Sequence, residues 1–215
     1  MSRLIMLRHG ETQWNRDGLF RGRKEVDLSP VGQLQAEAAA RAIWPELVSG
    51  FAPVRLVSSP LRRALSTSEA IGKLSGLEVE VSQELQDVDY GQFEGLTVEE
   101  ASKAYPEVYL AWQHHPELVS FPGGESLSSA FERAQAFVNR VLSDRGPSCT
   151  IAVSHRVPIK LMIMSVLGLP LSAFWQIRVD NASISVAETW GSIRVLVLCN
   201  DTCHLKLARP ITRDF

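Results

Sequence analysis

Leu4-Ile5-Met6-Leu7-Arg8-His9-Gly10 is the stretch on which the reading of this chain turns. Its short apolar run reads as a buried strand, with a basic residue and a histidine at its exit. Two further segments repeat the arrangement. Thr150-Ile151-Ala152-Val153-Ser154 leads into His155, and Val54-Arg55-Leu56-Val57-Ser58-Ser59-Pro60 leads towards Arg62. In an open parallel sheet, ligands bind outside the carboxyl ends of the strands. Segments far apart in the chain can therefore deliver Arg8, His9, Arg62 and His155 to one crevice. Two imidazoles and two guanidiniums suit a phosphate ester, with histidine as nucleophile and arginine as clamp.

Between these strands the pattern is helical. Ser29-Pro30 opens a helix, with Ser as N-cap and Pro at the first helical position, and Pro45 limits it. Arg62 begins another helix that runs to about Ser75 and ends near Gly76. Val79 to Val81 is a brief strand. Leu85 to Gly95 reads as a loop, and Thr97 to Tyr105 as a helix with a capping box from Thr97 to Glu100. The segment 106–124 is read as irregular, and 92–124 as a small cap inserted over the crevice.

Glu125 to Asp144 is an amphipathic helix carrying Leu127, Phe131, Ala134, Val138, Val141 and Leu142 on one side. A helix from about Val157 to Leu167 follows strand 150–154. Strands 183–187 and 193–199 form an antiparallel hairpin, with Gly191 between them. The alternation specifies an α/β fold: a three-layer α/β/α sandwich with a mostly parallel central sheet, in a single domain over 1–215.

Composition narrows the function. The chain has 215 residues, 45% hydrophobic and 21% charged, with a net charge of −2. That balance speaks against bulk binding of nucleic acid or a membrane surface. Cys149, Cys199 and Cys203 are too few and too irregular for a disulfide framework and lack a second ligand pair for zinc. They read as reduced thiols of a cytoplasmic protein, with no metal and no cofactor. The partner expected is a small phosphorylated metabolite, and the late apolar hairpin is a candidate edge for a homodimer.

Arg8-His9-Gly10-Glu11-Thr12 with Trp14-Asn15 resembles the signature of the histidine phosphatase superfamily, which includes the cofactor-dependent phosphoglycerate mutases. Asp27-Leu28-Ser29-Pro30, Ser58-Ser59-Pro60-Leu61-Arg62-Arg63-Ala64, Tyr90-Gly91-Gln92-Phe93-Glu94-Gly95, Gly123-Gly124-Glu125-Ser126 and Val153-Ser154-His155 complete the set in the family's order. A narrower resemblance, to the metal-independent phosphoserine phosphatases, rests on Phe174-Trp175, Asp180-Asn181-Ala182-Ser183, Thr202-Cys203-His204-Leu205 and Ser154-His155-Arg156-Val157-Pro158.

The resemblance implies a phosphohistidine mechanism at His9, with Arg8, Arg62 and His155 around the phosphoryl group. The family's general acid, usually Glu, corresponds to Asp87; Glu84 and Asp89 are the alternatives. Asn15, Arg21, Gly22, Arg156 and His204 make up the substrate-binding set. Arg21 and Arg156 are departures from the family pattern that would suit a second anionic group such as a carboxylate. His204 matches the residue implicated in recognising the amino-acid part of the substrate. L-phosphoserine is the first expectation. α-Ribazole phosphate, a sugar phosphate, phosphoglycerate and mutase chemistry are the alternatives within enzymes, and a non-catalytic phospholigand-binding module is the alternative outside them. His114 and His115 read as solvated cap residues, and Trp112, Phe121 and Trp175 as packing or pocket lining.

Overall fold

A computed structural model describes residues 1–143 and 148–205. Among the described residues six strands form one sheet in the order β3-β2-β4-β1-β5-β6. They are β1 (Ser2–Arg8), β2 (Val54–Ser58), β3 (Val79–Val81), β4 (Ser148–Ser154), β5 (Ile184–Trp190) and β6 (Ile193–Asp201). The pairs β2–β3, β2–β4 and β1–β4 are parallel, and β1–β5 and β5–β6 are antiparallel. The helices are α1 (Gln13–Arg16), α2 (Pro30–Ile43), α3 (Arg62–Ser75), α4 (Val98–Ala104), α5 (Pro106–His114), α6 (Leu127–Leu142) and α7 (Arg156–Leu167).

The apolar run of β1 serves two cores because successive side chains leave a strand on opposite faces. Leu4 and Met6 join Val57, Ala152, Phe137, Val138, Leu161 and Met162, the layer made by α6 and α7. Ile5 and Leu7 join Leu56, Ile151, Val153, Ala39, Ile43 and Ile71, the layer made by α2 and α3. Burial on both faces is what a parallel sheet requires, and it explains why these strands are continuously apolar rather than alternating. The result is the three-layer sandwich expected.

Three local differences have physical causes. Residues 106–114 are helical, not irregular: Pro106 stands at the first helical position, where its missing N–H forfeits no intrahelical bond. Pro116 likewise opens a 3₁₀ turn at Pro116–Leu118. The helix expected from Glu125 begins at Leu127, since Ser126 caps it by accepting the Ser129 amide at 3.1 Å; its expected end at Asp144 lies outside the described residues. Strand β4 starts at Ser148, two residues before its expected start, and pairs with β1 from Ser2 onward.

Candidate active site

The parallel register sets the site. Arg8 pairs with Ser154 at the carboxyl ends of β1 and β4, so the next residues, His9 and His155, emerge side by side. The His9 amide donates to Ser154 O at 3.0 Å, and the Ser59 amide, beyond β2, donates to Val153 O at 3.0 Å. The two imidazole centroids are 5.1 Å apart, and both rings are buried. Behind His9 the chain turns against the first turn of α2 with no room for a side chain. A Cβ on Gly10 would lie 2.3 Å from Gly32 O.

Hydrogen bonds fix both tautomers. His9 Nδ1 lies 2.6 Å from Gly10 O, which can only accept, so Nδ1 carries the proton and Nε2 the lone pair. His155 Nδ1 lies 3.2 Å from Arg63 Nε, an obligatory donor. Its proton is therefore on Nε2, which donates to Ser59 Oγ at 2.7 Å.

Arg63, not Arg62, is the second arginine of the site. The Arg63 side chain is 0% exposed, and besides His155 it donates to Gly22 O at 2.7 Å, Lys24 O at 2.9 Å and Asp87 Oδ2 at 3.3 Å. The Arg62 side chain is 68% exposed and points towards Asp27 at 3.9 Å. Successive helical residues diverge by about 100°, so both cannot enter the crevice. Arg63 shares its face with buried Thr67 and Ile71, and Thr67 Oγ1 accepts the Gly10 amide at 3.1 Å. That spacing of four was the signal available in the sequence.

The remaining residues divide by distance from this cluster. Arg8 is fully buried, with Nη1 on Val179 O at 2.8 Å. Asp87 is buried beside Arg63, whereas Glu84 pairs with Arg140 and Asp89 pairs with Arg23 at 3.3 Å. Of the three carboxylates, only Asp87 reaches the cluster. Gly22 adopts a φ of +51° and aims its carbonyl at Arg63; a Cβ there would collide with the Glu94 carboxylate. Arg21 is buried, with Nη1 at 3.4 Å from Trp14 O and 3.3 Å from Leu19 O, and its charge acts on both histidines. Arg156 hydrogen-bonds Tyr90, whose phenol is pushed up to about 12, chiefly by burial.

Asn15 accepts the Thr12 amide and hydroxyl at 2.9 Å each through Oδ1. Its Nδ2 is buried without an acceptor among the described residues, an arrangement that suits a donor awaiting an anion. His204 lies further off. Its Nε2 engages Ala182 O at 3.0 Å, and the Ala182 amide in turn donates to His9 O at 3.2 Å. The structure thus puts His204 behind the His9 loop, two links from the imidazole. Asn181, Tyr90 and Ser59 were not foreseen as site residues. Asn181 Nδ2 reaches His9 O at 3.3 Å and Gly10 O at 3.4 Å.

Burial drives the pKa of His9 well below 6.5, and the charges of Arg63, Arg8 and Arg21 push it further; His155 is lowered by burial, Arg63 and His9. Both rings are therefore neutral at pH 7. Because the unfolded chain binds these protons more readily, stability is complete above about pH 6.5 and falls as the pH drops below it. With both histidines contributing, the slope is expected to approach about 2.7 kcal/mol per pH unit until the folded protein itself takes up the protons. Urea unfolding at pH 7, 6 and 5 checks this. A flat profile would mean that the rings are not held neutral.

A family model for the histidine phosphatase superfamily (branch 1) matches residues 4–202. The chain belongs to that superfamily. It is 36% identical over 205 residues to phosphoserine phosphatase 1 of Hydrogenobacter thermophilus, covering 95% of each chain. It is 34% identical over 199 residues to glucosyl-3-phosphoglycerate phosphatase of Mycolicibacterium vanbaalenii, covering 89% of this chain and 85% of that one. Among solved structures, the phosphoserine phosphatase of Entamoeba histolytica in complex with 3-phosphoglyceric acid superposes with a TM-score of 0.82 at 27% identity, over 95% of this chain and 100% of that one. In this histidine phosphatase no helix among the described residues is long and apolar enough to cross a membrane.

Proposed function

We propose that this protein is a phosphomonoesterase that works through a phosphohistidine at His9 on a small phosphorylated metabolite, with L-phosphoserine as first substrate. The observation that carries the reading is the tautomer of His9. Its Nε2 lone pair is free to attack, because Gly10 O holds the Nδ1 proton and burial, helped by the arginines, keeps the ring neutral. Arg8 and Arg63 neutralise the phosphoryl oxygens, Asn15 Nδ2 adds a donor, and His155 Nε2–H adds another when the phosphoryl group takes the place of Ser59 Oγ as its acceptor. As the P–O ester bond breaks and the N–P bond forms, Asp87 passes a proton to the leaving alkoxide. In the second step Asp87, now a carboxylate, takes a proton from water. The water oxygen bonds to phosphorus, the N–P bond breaks, and inorganic phosphate leaves with His9 neutral again. Side chains supply all the charge this route needs, so we read it as independent of metal.

Arg21 and Arg156 would meet the carboxylate of the substrate, and segment 92–124 would cap it. His204 would act through Ala182 and the His9 loop. Phosphoserine is favoured by the C-terminal motif and by the relatedness to a protein named for that activity. A second reading, a sugar phosphate or a similar ring-bearing ester, is favoured by the relatedness to a protein named glucosyl-3-phosphoglycerate phosphatase.

Phosphate release in EDTA from L-phosphoserine, 3-phosphoglycerate, α-ribazole phosphate and glucose phosphates tests the proposal. Fast release from phosphoserine supports it. Fast release only from a ring-bearing ester replaces the substrate and keeps the chemistry. No release from any ester leaves a phospholigand-binding module. For the acid, Asp87→Asn is expected to slow an alkyl ester about 10²- to 10⁴-fold and p-nitrophenyl phosphate far less, because nitrophenolate needs little protonation. Equal losses on both esters would remove Asp87 from that role.

A further inference from the structure

We propose that Arg133, on the core-facing helix α6, is a positioning residue that sets the reach of Asp87; this rests on the reading of Asp87 as proton donor. The three residues before Asp87 present their carbonyls to side chains from two different elements. Arg133 Nη1 donates to Glu84 O at 3.0 Å and to Gln86 O at 2.8 Å, and Ser154 Oγ, at the end of β4, donates to Leu85 O at 2.7 Å. On the far side of Asp87, the Asp89 amide donates to Glu125 Oε1 at 3.1 Å, and Arg133 Nη2 donates to that same oxygen at 2.7 Å. One guanidinium therefore ties down the backbone on both sides of the acid.

The tie is rigid at its root. Helix α6 buries Ala130, Ala134, Phe137, Val138 and Val141, so the Arg133 stem leaves a fixed surface. The arginine is charged and forked, and the bonds it makes are of the stronger, charge-assisted kind. Arg133 touches none of His9, His155, Arg63 or the Asp87 carboxylate in any described contact; it acts only through the loop.

The identity of the acid makes this matter. An aspartate has one methylene fewer than a glutamate, so its carboxylate has less freedom to correct a misplaced backbone. Asp87 Oδ1 is already occupied by the Val88 amide at 3.0 Å, and Oδ2 lies 3.3 Å from Arg63 Nη2. Where the proton is delivered is thus decided by where the loop stands, and a shift of about 1 Å in a positioned group is enough to cost a reaction about 10²-fold.

The test compares Arg133→Gln, Arg133→Lys, Asp87→Asn and the double variant Arg133→Gln/Asp87→Asn. The substrates are p-nitrophenyl phosphate and L-phosphoserine, or whichever alkyl ester the enzyme hydrolyses fastest. Arg133→Gln is expected to lower kcat on the alkyl ester roughly 10- to 100-fold with little change in KM, and on the aryl ester no more than about threefold. Arg133→Lys keeps the charge on a single nitrogen, which cannot hold the Glu84 and Gln86 carbonyls and Glu125 Oε1 at once as the two terminal nitrogens of arginine do. It should retain the native Tm more closely while losing much of the same kcat, which keeps the test valid if the glutamine variant folds poorly. In the Asp87→Asn background, Arg133→Gln should add no further loss on the alkyl ester. Losses that multiply in the double variant, or that fall equally on both esters, overturn the positioning role. If Asp87→Asn discriminates between the esters and Arg133→Gln does not, only the role of Arg133 falls. If Asp87→Asn itself treats both alike, the acid assignment falls and the positioning with it.

Discussion

Replacing His9 by alanine is expected to remove turnover by roughly 10⁴-fold or more while leaving the protein folded. No neighbour can take over the attack. The Nδ1 lone pair of His155 is occupied by Arg63 Nε, and its Nε2 carries a proton engaged by Ser59. The same substitution removes one buried ring that resists protonation, so the variant should lose less stability than the native protein between pH 7 and pH 5. Two measurements check this: phosphate release, and trapping of an acid-labile phosphoenzyme, which the native protein should form and the variant should not. A variant that still turned over at the native rate would move the nucleophile elsewhere.

The second large effect separates two adjacent residues. Arg63→Ala is expected to cost about 10³- to 10⁵-fold in kcat/KM, the range found when an arginine is withdrawn from a phosphoryl group in flight. Arg62→Ala should stay within about twofold, as surface substitutions usually do. Arg63→Ala also strips donors from Gly22 O, Lys24 O and Asp87, and a buried acceptor without its donor destabilises the fold. Arg63→Lys therefore belongs beside it, since lysine restores the charge without the fork and should recover stability before rate. Thermal unfolding of each variant separates the two effects. Equal losses from Arg62→Ala and Arg63→Ala would contradict the geometry.

That pair also shows where sequence reading succeeded and where it stopped. The sheet was legible because β1, β2 and β4 are buried on both faces and written as apolar runs. The histidines were legible because each directly follows such a run. The motif places both Arg62 and Arg63 after Ser58-Ser59-Pro60 and does not choose between them; a motif says which loop delivers a charge, while the helical phase says which residue faces inward. The phase was present in Thr67 and Ile71, on the face of Arg63. Helix α5 is absent from the sequence reading because Pro106 marks a helix start as well as a break, and residues 106–124 are read as irregular. Asn181 could not be assigned from its motif alone, since its role is to reach two carbonyls more than 170 positions away in the chain.

The level pairing of Arg8 with Ser154 makes the catalytic centre a gauge of strand register. Side chains alternate along a strand, so sliding β1 by one residue against β4 would turn every residue of β1 to the opposite face and carry His9 away from His155. A misregistered sheet could still be compact, helical and apolar inside, and it would be silent towards phosphate esters. During refolding, recovered turnover therefore counts the molecules in which the two strands have met at the right rung, a distinction that far-ultraviolet signals do not make.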